Sequence, residues 1–175
     1  MSILDWLRGD RLDSAARSGD TETVRRIVGE LEKLESERAR FLAAFAYVLS
    51  RVAGADLHVS EEETAKMVAL VQSRGHLPEA QALLVVKIAS SQHRLFGGTE
   101  NFLVTREFRE IASDAERRDL LDCLFAVSAA HEAISGEEES QIRQIASELG
   151  FTHAEYVTAR LAYSDKRTVM RRADG

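Results

Sequence analysis

The sequence holds little that could staple, kink or anchor a fold. Its 175 residues include one cysteine, Cys123, which excludes an intramolecular disulfide and fits a reducing compartment. The one proline, Pro78, leaves most of the chain free to be helical. No apolar run approaches the ~20 residues that cross a bilayer. The first ten residues lack an apolar core of signal-peptide length and carry Asp5. We therefore expect a cytoplasmic protein without an integral membrane segment. Basic charge is scarce as well: 23 Lys and Arg against 29 Asp and Glu give a formal charge of -6. That argues against nucleic acid as a partner, because such binding needs a concentrated basic surface to displace counterions from phosphate.

Catalytic signatures are missing too. There is no Gly-x-Ser-x-Gly elbow and no Cys-x-x-Cys pair. Phe96-Gly-Gly-Thr99 lacks the lysine and the strand context of a phosphate loop. Cys123 sits on an apolar helix face and reads as a buried, inert thiol. We expect no enzyme.

What the sequence does have is helix signals. Ala, Leu, Glu and Arg are abundant, and apolar residues recur at three- and four-residue spacing. Four capping boxes mark helix starts: Ser60 with Glu63, Ser113 with Glu116, Ser135 with Glu138, and Thr152 with Glu155. In each, the hydroxyl can accept from the backbone N–H three residues on, while the Glu reaches back to the N–H of the cap. Gly75 and Gly150 fall where a left-handed residue ends a helix, and Pro78 where a first-turn proline belongs. The pattern predicts helices over 3–7, 12–18, 21–34, 37–53, 61–74, 78–91, 100–112, 114–130, 136–149 and 153–163. Phe41, Phe45, Val48 and Val52 should form one face of the fourth. The expected fold is all-α.

The chain also overlays itself when shifted by 75 residues (135 − 60). Leu49 meets Leu124, Ser60 meets Ser135, Glu63 meets Glu138 and Gly75 meets Gly150. Apolar pairs match as well: Phe45 with Leu120, Val48 with Cys123, Val52 with Val127, Met67 with Ile142 and Leu70 with Ile145. Two copies of an apolar helix, a short loop and a capped acidic helix predict a pseudo-duplicated multi-helix bundle. We divide the chain into an N-terminal helical segment docked on the bundle (1–40), the bundle itself (41–163) and a flexible basic tail (164–175) that includes Lys166, Arg167, Arg171 and Arg172. Residues 12–27 look like one ankyrin half-repeat with no neighbours to stack on, so we read them as a docked hairpin.

The loop and helix Ala55-Asp-Leu-His-Val-Ser-Glu-Glu-Glu63, and its counterpart Ala130-His-Glu-Ala-Ile-Ser-Gly-Glu-Glu138, resemble the signature of the tellurite-resistance TerB-like family. So does the stretch from Arg118 to Arg160. The resemblance covers roughly 41–163. It implies an all-helical, pseudo-repeated fold and a link with tellurite resistance and stress response, and it implies no enzymatic activity. The family's Asp-Gly step reads Asp56-Leu57 in the first loop and His131-Glu132 in the second.

Two functional readings follow. In the first, the chain is a non-catalytic module that binds an unidentified protein partner. Its surface would be the paired acidic helix starts, Glu61 and Glu62 with Glu137 and Glu139, whose charge would steer a basic partner. In the second, Asp56, Glu63, His131 and Glu138 converge on a divalent metal ion, oxygen donors with an imidazole suiting zinc or manganese. Capping by itself accounts for Glu63 and Glu138. Ile3, Leu4, Trp6 and Leu7 form a small apolar cluster, to be docked on the bundle or placed in peripheral membrane contact.

Overall fold

The computed structural model describes residues 20–53, 60–91, 101–130 and 133–167. The helices predicted at 3–7 and 12–18 lie outside them. Among the described residues, eight α-helices follow in order: α1 (Asp20–Glu32), α2 (Ser36–Ala53), α3 (Glu61–Gly75), α4 (Glu79–Ser90), α5 (Asn101–Ile111), α6 (Asp114–Ala130), α7 (Gly136–Glu148) and α8 (His153–Leu161). A 3-10 turn, Ser164–Lys166, closes the described chain. No strand occurs among the described residues; Ile134 and Arg167 form one isolated bridge. The fold is all-α, as the periodicity requires.

All four capping boxes form. Ser60 N–H donates to Glu63 Oε2 at 2.9 Å, and Glu63 N–H donates to Ser60 Oγ at 3.2 Å. The corresponding distances are 2.8 and 3.1 Å for Ser135 and Glu138. They are 3.1 and 3.2 Å for Ser113 and Glu116, and 2.8 and 3.2 Å for Thr152 and Glu155. Each box satisfies two backbone donors that the helix itself leaves without partners. Pro78 is the residue before α4 rather than its first turn, one position from the expectation.

Helix α2 is the hub, packed against α1, α4, α5, α6 and α7. The expected single face of Phe41, Phe45, Val48 and Val52 is too narrow a description. Leu42, Ala43, Ala44, Ala46, Tyr47 and Leu49 are buried as well. The helix is enclosed on every side, and its alanines let neighbouring helices come close. Phe41 and Phe45 meet Phe108 of α5 with ring centroids 5.3 and 6.0 Å apart. Helix α6 is the second pillar, with Leu120, Leu121, Cys123, Leu124, Phe125 and Val127 buried. Burying each of these large side chains stabilises the fold by roughly 1.5–3 kcal/mol. Most of the apolar pairs related by the 75-residue shift are buried at both positions; Leu70 is half-buried where Ile145 is fully buried.

Gly75 departs from its expected role. It is the last residue of α3, and His76 takes the left-handed conformation instead, with φ 52°. A Cβ on Gly75 would lie 3.3 Å from Phe45 Cζ and 3.4 Å from Cys123 Sγ. The missing side chain lets the last turn of α3 lie close against Phe45 of α2 and Cys123 of α6. Gly150 does take the expected form, with φ 89°.

Helix α1 rests on α4 and α2 through buried Ile27 and Leu31. Because α2 begins at Ser36, the boundary drawn at residue 40 falls inside a helix. Residues 164–167 of the tail pack back on the bundle, and 168–175 lie outside the described residues. Ile134 N–H donates to the Lys166 carbonyl at 2.7 Å, and Tyr163 stacks on Phe125 with centroids 5.4 Å apart. Arg167 is bound by Glu139, as described below.

Candidate interaction site

The first turns of α3 and α7 carry the acids singled out in the sequence. Glu61 and Glu62 are exposed at the start of α3, and Glu62 pairs with Lys66 one turn on at 3.2 Å. Glu137 is exposed at the start of α7. Glu63 and Glu138 spend a carboxylate oxygen on their cap's N–H. Asp56 and His131 lie outside the described residues. Among the described residues no group of three or more His, Cys, Asp or Glu side chains is placed to hold a metal ion.

Glu139 has a different environment from the other three surface acids. Its carboxylate takes a forked pair of bonds from Arg167, Nε at 2.9 Å and Nη2 at 2.6 Å, and a third from Arg160 Nη1 at 3.2 Å. Burial raises its pKa, but the bonds and charges of Arg167 and Arg160 outweigh burial and leave it lowered. Glu139 therefore ties the C-terminal turn to α7 and does not present its charge outward.

A cleft of about 870 Å³ runs along α7 beside the end of α2, lined by Val52, Ser135, Glu137, Glu138, Gln141 and Gln144. At its edge stands Arg51, whose side chain is only 2% exposed. Its Nη1 donates to Glu148 Oε2 at 2.6 Å and to Thr105 Oγ1 at 2.7 Å, joining α2, α5 and α7. Burial pushes the Glu148 pKa up; hydrogen bonding and charge from Arg51, helped by Gln144 and Thr105, bring it below the usual carboxylate value.

The sequence reading missed this pair, although two signals were present. Arg51 is the single charged residue between positions 41 and 53. Glu148 sits at the C-terminal end of α7, where the helix dipole disfavours an anion and calls for a cation nearby.

Cys123 is buried, and its thiol pKa is pushed far up by burial, with Asp122 and Asp119 adding to the effect. His76 meets Asp119 at 3.1 Å on the surface.

The architecture defines a class: an all-helical bundle around two enclosed helices, each leading to an acidic, capped helix. Residues 41–161 match the family model described as Tellurite resistance protein TerB, and the chain belongs to that family. No curated protein and no solved structure matches the chain significantly. No described helix is long and apolar enough to cross a membrane.

Proposed function

We propose that this chain is a non-catalytic TerB-family module of a stress-response assembly, and that it offers its acidic helix starts to a basic protein partner. The observation that carries this reading is the division of labour in the first turns. Glu63 and Glu138 satisfy the caps, which leaves Glu61, Glu62 and Glu137 exposed on rigid, pre-formed turns. A rigid charged turn loses little conformational freedom on binding, and like charges grouped there steer an oppositely charged partner.

Connectivity limits how far apart the two starts can lie. Val52 lines the same cleft as Ser135 and Glu138, and Ser60 follows Ala53 by seven residues. Seven residues reach at most ~25 Å. Glu139 is not part of this surface, since Arg160 and Arg167 hold it.

The test is charge reversal at Glu62 and Glu137 together, in the full chain, with far-UV circular dichroism as the control for folding. Capture of protein partners from cell extract should fall about tenfold or more, and the remaining capture should lose its sensitivity to salt. Undiminished capture by a folded double variant would rule the surface out. Growth of a deletion strain on tellurite separately tests the stress-response role.

A further inference from the structure

The second acidic start carries an occupant at a position where the first has no acid. Glu139 follows the capped turn of α7, and under the 75-residue shift it falls on Thr64 of α3, which has no carboxylate. Arg160 of α8 holds Glu139 Oε1 at 3.2 Å, while among the described residues Oε2 is served by Arg167 alone, at 2.9 Å. Arg167 is itself extended, with φ -80° and ψ 126°, and pairs in parallel with Ile134, just before the cap Ser135. Ile134 N–H supplies the main-chain contact, donating to the Lys166 carbonyl. One backbone donor and one carboxylate thus grip an extended, arginine-bearing segment, in the manner of a peptide added to a strand edge. The grip is narrow. Upstream, Tyr163 is fixed by its stack on Phe125 and by its hydroxyl, which donates to Asp122 Oδ1 at 2.6 Å. Between Tyr163 and Arg167 no side chain is buried. The segment can therefore swing out from Tyr163 by giving up the Arg167 fork and the Ile134 bond, with the core intact.

We propose that Ile134 and Glu139 form a seat for an arginine on an extended segment of the protein partner, and that the chain's own Arg167 fills this seat until the partner displaces it. The inference rests on the reading of the acidic starts as a surface for a basic partner. Glu139, withheld from that surface while Arg167 holds it, joins it on release. Arg167 is tethered to fixed Tyr163 through the three residues of the 3-10 turn. An occupant on so short a tether acts at an effective concentration of about millimolar, so a competing arginine segment binds weakly while the turn stays closed.

The probe is a labelled peptide of residues 164–170, Ser-Asp-Lys-Arg-Thr-Val-Met, titrated with the full chain and followed by fluorescence anisotropy. Arg167→Gln, which empties the seat, should bind it about tenfold more tightly than the unmodified chain does. Adding Glu139→Gln to Arg167→Gln should abolish that gain, and so should citrulline in place of the peptide's arginine. Lys166→Gln removes the same charge from the same turn and should bring no gain. Hydrogen exchange of the Ile134 N–H should quicken in Arg167→Gln and slow again when the peptide is added, which reads the seat independently of affinity. Three outcomes overturn the proposal: equal affinity of the unmodified and Arg167→Gln chains, a matching gain from Lys166→Gln, and a gain that survives the loss of Glu139. If charge reversal at Glu62 and Glu137 abolishes partner capture while Arg167→Gln brings no gain, the reading of the acidic starts stands and this inference falls.

Discussion

The stretches that end α3 and α7 share a glycine at equivalent sequence positions, yet the two glycines do opposite jobs. Gly150 is there for its backbone: at φ 89° any side chain is strained, and the close atoms belong to the movable end of Arg109. Gly75 is there for its missing side chain: a Cβ would already touch Phe45 at 3.3 Å and Cys123 at 3.4 Å, and anything larger would have to displace them. The left-handed turn that Gly75 was expected to make is left to His76. The two starts, by contrast, match almost bond for bond, Ser60 with Glu63 and Ser135 with Glu138. A capping box is closed within four residues and is indifferent to its surroundings. What a glycine does at the other end depends on what the rest of the chain brings against it.

The contrast can be broken most sharply at Gly75. Gly75→Val should destabilise by about 3 kcal/mol or more, because the overpacked side chain meets two fixed core residues. Denaturant melts would measure it, and a loss no larger than that of Gly150→Ala would erase the distinction.

Next comes Arg51→Met, which leaves Glu148 nearly buried and without its cation; about 3 kcal/mol should be lost at neutral pH. This pair also sets a pH dependence. The pKa of Glu148 is lowered in the fold, so its contribution is present above the unfolded value of about 4.3. That contribution is lost as pH falls through the lower folded value. The gap in stability between wild type and Arg51→Met should therefore narrow in acid, and a constant gap across the titration would show that the pair is not its source.

Gly150→Ala should cost about 1–2 kcal/mol, the strain of an L-residue at positive φ, since Arg109 can swing aside. The starts sharpen the other half of the comparison. Ser60→Ala and Ser135→Ala should each lose about 1 kcal/mol, and nearly the same amount. A large difference would mean that one start has partners beyond its cap. The smallest effect expected is from metal: zinc, manganese or calcium should leave the melting temperature unchanged if Glu63 and Glu138 serve as caps alone. A cation-dependent rise would instead bring Asp56 and His131 into a shared site.

Much of the fold was legible because its signals are local. Helix α6 was placed at both ends from sequence, and the other described helices came within about two residues of their observed limits. The acidic starts were legible for the same reason. Glu139 was not: its capture by Arg160 and Arg167 depends on a C-terminal turn folding back 28 residues later in the chain. Arg51 and Glu148 are 97 residues apart, and neither carries a local pattern that names the other.

The sequence by itself determined that this protein is helical, where each described helix begins to within about one residue, and that residues 41–161 belong to the TerB family. Those properties follow from hydrogen bonds and apolar spacing within a few turns of chain. Only the tertiary structure decided which acids face water, which glycine makes room and which makes a turn, and that α2 is enclosed on every side. Burial and ion pairing are set by what distant segments bring within a few ångströms, and no local pattern encodes that distance.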